Sequence, residues 1–152
     1  MNLQSLGTHL TTGTSFPGRA VDPELAEELK TSRRVRVVLV DDHRIVLDGL
    51  RELLSQDRRI RIVGEATNGR EAVQLVRDQL PDVVLMDVVM PDIDGIQATQ
   101  MIKAEFPRIA IVGLSMFADE DTRQEMLRAG ACAHLGKDVE LAVLVATLFG
   151  CA

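Results

Sequence analysis

From Arg34 onward, apolar blocks and amphipathic stretches alternate along the chain with a regular beat. Val35–Val40 is nearly all apolar, the pattern of a strand covered on both faces. Ile45, Val46, Leu47, Leu50, Leu53 and Leu54 then recur at helical spacing. Ile60–Ala66 reads as a second strand, its apolar run broken by Arg61 and Glu65. Asn68-Gly69 makes a turn, and Ala72, Val73, Leu75, Val76 and Leu80 mark a second helix stopped by Pro81. Asp82–Met86 predicts a third strand, and a helix runs from about Gly95 to Phe106 with Pro107 as its stop. Ile109–Leu114 is a fourth strand, followed by a helix from near Asp119 to the natural C-cap Gly130. A short fifth strand, Ala131–Leu135, precedes a last helix from about Val139 to Phe149.

Five strands alternating with five helices predict an α/β fold in three layers, a parallel sheet with helices on both faces. The first, third and fourth strands are the most apolar and belong at the centre; the second and fifth carry Arg61, Glu65 and His134, which suits edges. The resulting order 2-1-3-4-5 is the flavodoxin-like, doubly wound arrangement. Its ligand crevice lies at the carboxyl ends of strands one and three.

Residues 1 to about 20 are rich in Thr, Gly and Ser without periodicity and read as a flexible lead. Asp22-Pro23-Glu24 has the form of a helix start, predicting a short helix through about Lys30. The expected division is therefore an N-terminal extension, residues 1–33, and one folded domain, residues 34–150. A length of 152 residues suits one core rather than two. With 46% hydrophobic residues, 26% charged residues and a net charge of −6, the composition is that of a soluble globular protein and argues against nucleic-acid binding by bulk electrostatics. Cys132 and Cys151 lack a CxxC spacing and sit among apolar residues, so the expectation is two free, buried thiols in a reducing cytoplasm. No apolar run approaches the roughly 20 residues that cross a bilayer.

Chemistry concentrates where the strands end. The first strand runs into Asp41 and Asp42, the third into Asp87, the fourth into Ser115 and the fifth into Lys137. Three carboxylates brought together repel: a pair about 4 Å apart costs roughly 4 kcal/mol at an effective dielectric near 20. A cation must offset that, and hard oxygen ligands open to water suit Mg²⁺, with Lys137 as a second, fixed positive charge. A carboxylate flanked by Mg²⁺, an ammonium and a hydroxyl is prepared for phosphoryl oxygens, and Asp87 as nucleophile would yield an aspartyl phosphate. Taken singly, Asp41 or Asp42 would be a helix cap, Lys137 a solvated turn residue and Ser115 a partner for strand-end backbone. Asp92 reads as a turn residue, Asp94 as a cap, and His43 is given no chemistry. The signal is the joint placement.

These residues, within VVLVDDHRIVLDGL, VGEATNGREAVQLV, PDVVLMDVVMPDIDG, IVGLSMFADED and AGACAHLGKD, resemble the receiver domain of bacterial two-component response regulators. The DDH start, the LSM after strand four and the LGKD ending are similar to the NarL/FixJ branch, whose members carry a LuxR-type helix-turn-helix. The resemblance implies that Asp87 accepts a phosphoryl group from a histidine kinase. It implies direct Mg²⁺ ligation by Asp42 and Asp87, contact through water by Asp41, and the backbone carbonyl of Val89 as a further ligand. Lys137 and Ser115 would contact the phosphoryl group, with His134 at the switch position of strand five. A transcription-regulating role would follow, as a phosphoprotein of the cytoplasm rather than an enzyme with external substrates.

Three departures stand out. His134 replaces the family's switch aromatic, Asp138 rather than proline follows Lys137, and no DNA-reading domain lies within these residues. The last helix, with Val139, Leu141, Val143, Leu144, Val145, Leu148 and Phe149, has almost no polar face. Its outer side is expected to meet a second copy, the N-terminal helix or a DNA-binding domain. Two other readings compete: a degenerate receiver acting as a non-phosphorylated interaction module, and a metal-dependent phosphohydrolase. The second is disfavoured because Val89 stands where such an enzyme's general acid would be. Nucleotide binding lacks any glycine-rich phosphate loop.

Overall fold

The computed structural model describes residues 22–25 and 33–152. The chain divides into two units, Met1–Arg33 and Arg34–Ala152. Of the N-terminal unit, residues 23–25 are helical, and the Asp22 side chain accepts a hydrogen bond from the Glu24 amide at 3.0 Å. The rest of the expected lead and short helix lies outside the described residues.

The second unit follows the alternation closely. Its elements are β1 (Val35–Val40), α1 (Arg44–Leu54), β2 (Ile60–Ala66), α2 (Gly69–Gln79), β3 (Val83–Asp87), α3 (Gly95–Glu105), β4 (Ala110–Ser115), α4 (Glu120–Ala129), β5 (Ala133–Gly136) and α5 (Leu141–Cys151). All neighbouring strands pair in parallel, in the order β2-β1-β3-β4-β5. The sheet is therefore the flavodoxin-like one expected, with β2 and β5 at its edges.

Strand alternation sorts the core into two layers. Val38, Val40, Val84, Met86 and Ile111 pack with α2, α3 and α4 through Val76, Ile102 and Met126. Val37, Leu39, Val83, Leu85 and Val112 face α1 and α5 through Leu47, Leu54, Leu144 and Leu148. The central strands are buried on both sides, which is why their sequences carry runs of Val, Leu and Ile rather than alternation.

Local chemistry sets most boundaries. Asn68, Asp94 and Asp119 each accept a hydrogen bond from a backbone amide three residues on, at 2.9, 2.8 and 2.8 Å, and so start α2, α3 and α4. Gly130 closes α4 with φ of 111°, a conformation that favours glycine. Leu80 ends α2 at φ 47°, and Arg36 secures that turn by donating to the Gln79 and Leu80 carbonyls.

Several boundaries depart by one or two residues from expectation. Asp82 stands just before β3, its carboxylate accepting the Arg36 amide, whereas Asp87 belongs to the strand and pairs in register with Leu114. Ser115 likewise closes β4 opposite Gly136. Ala131 is drawn back to α4, its amide donating to the Met126 carbonyl, so β5 starts at Ala133. Val139 turns back onto the Gly136 carbonyl, which delays α5 to Leu141.

The cysteines require a correction. Cys132 and Cys151 are not free buried thiols; they form a disulfide across a Cα–Cα distance of 6.0 Å. Cys132 is exposed and Cys151 half-buried. Their separation of 19 residues hides the pairing in the sequence, because only the packing of α5 beneath the sheet returns its last turn to the root of β5. Helix α5 is apolar apart from Thr147, whose hydroxyl donates to the Val143 carbonyl, yet only one side is buried, through Leu144 and Leu148. Ala142, Val143, Ala146 and Gly150 face outward.

Candidate functional site: an acid pocket at the switch point

The parallel register brings the strand ends into one row. Val40 pairs with Met86, Asp87 with Leu114, and Ser115 with Gly136, so the residues that follow or close β1, β3, β4 and β5 meet along the carboxyl edge of the sheet. Asp41 directly extends β1, its amide still bonded to the Ala66 carbonyl at 3.1 Å. The loop from β3 to α3 folds tightly over Asp87: the Gly95 amide donates to the Val88 carbonyl at 2.8 Å. A Cβ at Gly95 would run into the carbonyl oxygen of Asp87, so this approach requires glycine.

Asp41 and Asp87 are only 1% and 3% exposed, a placement tolerable for carboxylates only with partners. Lys137 is the partner the fold supplies. Its ammonium lies 2.7 Å from Asp41 Oδ2 and 3.2 Å from Asp87 Oδ1. The lysine is positioned by its own backbone, whose amide donates to the Ser115 carbonyl at 2.9 Å. Ligand atoms of Asp41, Asp42, His43 and Asp87 all lie within 4.8 Å of one another. One lysine therefore faces three carboxylates.

That imbalance shows in the titration of Asp87. Burial and the repulsion of Asp41 raise its pKa from the ordinary 3.8 to about 6, against the opposing pull of Lys137. For Lys137, burial works against the charged form, but the hydrogen bond it donates to Asp41 and the charges of the two carboxylates outweigh it and raise its pKa. Asp87 Oδ2 is buried with no hydrogen-bond donor. An orphaned carboxylate oxygen beside two further acids fits a hard divalent cation such as Mg²⁺. Above the acids lies a cavity of about 350 Å³, rimmed by Val89, Met116 and Phe117 and reached by His43, Ser115 and Lys137. A larger open groove of about 830 Å³, between residues 56–59 and α5, contains none of these acids.

Ser115 lies on this cavity, but its hydroxyl is engaged elsewhere. It donates to the Phe117 carbonyl at 3.0 Å and lies 2.8 Å from His134 Nε2. Since one hydroxyl carries one proton, the His134 Nε2–H donates to Ser115, leaving Nδ1 as a bare lone pair. Nδ1 is indeed buried without a partner. Burial lowers the pKa of His134, with Asp119 opposing, which agrees with a neutral ring. Gly113, paired with His134 across the sheet, makes room: a Cβ there would meet His134 Cδ2 at 3.0 Å.

Two features were missed by reasoning from sequence. His43, given no chemistry, places Nδ1 at 3.2 and 3.1 Å from carboxylate oxygens of Asp41 and Asp42. Its position directly after the acid pair was the available signal. The Ser115–His134 bond joins residues 19 apart, legible only once β4 and β5 are known to be neighbours. Asp92 and Asp94 remain structural, the first at φ 66° and bonded to Arg70, the second the cap of α3. The Lys137–Asp138 bond is trans, as are all peptide bonds among the described residues.

A flavodoxin-like sheet with a lysine-bridged acid pocket at its switch point defines a class of α/β domains in which chemistry sits on strand ends rather than in a deep cleft. This chain belongs to the response regulator receiver domain family, which matches residues 37–149. The family is one of signalling domains rather than catalytic enzymes. The chain is similar to the transcriptional regulatory protein LiaR of Bacillus subtilis, 42% identical over 103 residues, which cover 68% of this chain and 49% of that protein. It is 40% identical over 113 residues to YhcZ, an uncharacterised transcriptional regulatory protein of the same organism, covering 74% and 53%. It spans about half the length of these curated relatives. Among solved structures it resembles the signal receiver domain of NarL from Mycobacterium tuberculosis, with a TM-score of 0.75, 31% identity, and coverage of 78% and 96%. It also resembles the isolated REC domain of RcsB from Salmonella enterica serovar Typhimurium, solved in the presence of the phosphomimetic BeF3⁻, with a TM-score of 0.70, 27% identity, and coverage of 78% and 90%. Among the described residues no helix is long and apolar enough to cross a membrane.

Proposed function

We propose that residues 34–150 form a phosphorylation-switched receiver domain of a two-component system, in which Asp87 takes a phosphoryl group from a phosphohistidine of a histidine kinase. The observation that carries this reading is the lysine bridge: one ammonium within 3.2 Å of both Asp41 and Asp87, while Asp87 Oδ2 is left unbonded in a buried acid cluster. In the transfer a carboxylate oxygen of Asp87 attacks phosphorus and the phosphorus–nitrogen bond of the donor breaks. The electron pair leaves on the imidazole nitrogen, which then takes up a proton. Mg²⁺ held by Asp41, Asp42, Asp87 and the Val89 carbonyl would supply charge neutralisation for the phosphoryl oxygens. Lys137 follows the new charge, exchanging an aspartate oxygen for a phosphoryl oxygen.

The readout begins at Ser115. To donate to a phosphoryl oxygen its hydroxyl must leave the Phe117 carbonyl, and His134 loses its acceptor or moves with it. A charge of about −1.5 to −2 thereby rearranges the β4–α4 loop and the edge strand β5. In line with the transcriptional relatives, the switched surface would control a DNA-binding domain or a second copy, in the cytoplasm. The test is incubation with Mg²⁺ and acetyl phosphate followed by intact-mass measurement. One phosphate should appear, be released by hydroxylamine, and be absent without Mg²⁺ and in Asp87→Asn. A chain that takes no phosphate would instead be a non-phosphorylated interaction module.

A further inference from the structure

The disulfide Cys132–Cys151 closes a loop that contains His134, Lys137 and the whole of α5. Cys132 is held at the root of β5, its amide donating to the Ile111 carbonyl at 2.7 Å, and its side chain is exposed. Cys151 is the final residue of α5. The bridge therefore ties the end of the last helix to the start of the strand that bears the switch histidine.

The domain does not depend on that tie for its core. Leu144 and Leu148 bury the inner face of α5, and neither cysteine is among the buried residues that make up the two core layers. Disulfides that hold up small secreted domains substitute for a missing core, which is not the situation here. The last turn is different. Gly150 is exposed with nothing within 4 Å of where its Cβ would lie, and the turn has no basic residue to complement the helix dipole. Beyond the buried Leu148, the chain is held here by the bridge and by Phe149, with Arg59 stacked 4.3 Å from its ring centre.

We propose that Cys132 and Cys151 are a reversible thiol–disulfide site, exchanged by small-molecule thiols and disulfides, that latches or releases the last turn of α5. In the oxidising direction the exposed Cys132 thiolate attacks a small disulfide, forming a mixed disulfide and expelling one thiolate. The Cys151 thiolate then attacks the Cys132 sulfur and expels the second. Two protein thiols and one small disulfide become one protein disulfide and two small thiols, with two electrons and two protons transferred. Excess small thiol runs the sequence backward. Release frees the end of α5 and slackens the loop that carries His134 and Lys137; that consequence for signalling rests on the receiver reading, whereas the exchange itself does not.

The experiment equilibrates the full chain in reduced and oxidised glutathione at graded ratios, approached from both directions. Acid quenching, alkylation and intact mass then count the free thiols, and hydrogen exchange is read on the same samples. Expected is reversible conversion between no free thiols and two, with amides of residues 149–151 exchanging at least tenfold faster in the reduced form and those of β1 and β3 unchanged. Cys151→Ser should instead collect glutathione on Cys132 and show no redox dependence of exchange in α5. A bridge that millimolar reduced glutathione leaves intact in the folded chain overturns the proposal, as does equal protection of α5 in both forms. No phosphodonor is used, so a chain that exchanges its thiols but refuses acetyl phosphate refutes the receiver reading and leaves this site standing.

Discussion

Replacing Asp87 by asparagine removes the charge that the pocket holds at greatest cost, and the fold should gain stability from it. The carboxyl is pushed from the ordinary 3.8 to about 6 by burial and by Asp41. Unscreened, that displacement corresponds to about 3 kcal/mol at neutral pH; water entering through the mouth of the pocket reduces the expectation to about 1–2 kcal/mol. The sign follows from proton uptake. Between about pH 4 and 6 the folded chain binds this proton and the unfolded chain does not, so wild-type stability falls as pH rises through that window and stays reduced above it. The asparagine is nearly isosteric and Asp41 keeps Lys137 paired. Urea melts of both proteins in EDTA should therefore place Asp87→Asn about 1–2 kcal/mol above wild type at pH 7.5, with the gap closing by pH 4. A variant no more stable than wild type at pH 7.5, or a gap indifferent to pH, would refute the claim that the acids are mutually strained.

Two further outcomes follow from the same imbalance and a third from the buried histidine behind Ser115. Mg²⁺ at ten times its dissociation constant should stabilise the wild type by about 1.4 kcal/mol, raising its Tm by several degrees in calorimetry and leaving Asp87→Asn nearly unmoved. Lys137→Met leaves three carboxylates without their ammonium and should lose about 2–3 kcal/mol at pH 7.5 in denaturant melts, with much of the loss recovered by Mg²⁺. Burial lowers the pKa of His134, so its folded form resists protonation, and the stability it contributes is present above pH 6.5 and lost as pH falls below that value. His134→Phe should flatten the acid side of the stability profile below pH 6.5, and NMR titration of the His134 ring in wild type should give a midpoint below that of a free histidine.

Much of this protein is a consequence of its one-dimensional pattern. Continuous apolar strands such as Val83–Met86 can be satisfied only between two helical layers, and the polar residues of β2 and β5 leave only the edges for those strands. Strand order then places the carboxyl ends of β1 and β3 side by side, so Asp41 and Asp87 become neighbours through topology alone. The caps at Asp94 and Gly130, and the helix starts at Asn68-Gly69 and near Asp119, were legible because each acts within one turn of its own chain.

What the tertiary structure decided depends on angles and depths that periodicity does not encode. Which carboxylate oxygen Lys137 reaches, and which oxygen of Asp87 is left bare, follow from how the β5–α5 turn folds back onto β4. The Ser115–His134 bond exists because a glycine opposite the histidine lets an imidazole lie against the sheet. The disulfide is the clearest case. Two cysteines 19 residues apart carry no local signature, and they meet because a helix anchored at Leu144 and Leu148 delivers its last residue to the base of the neighbouring strand. Sequence spacing encodes which face a residue occupies; contact across a packed layer is set by where the layers come to rest.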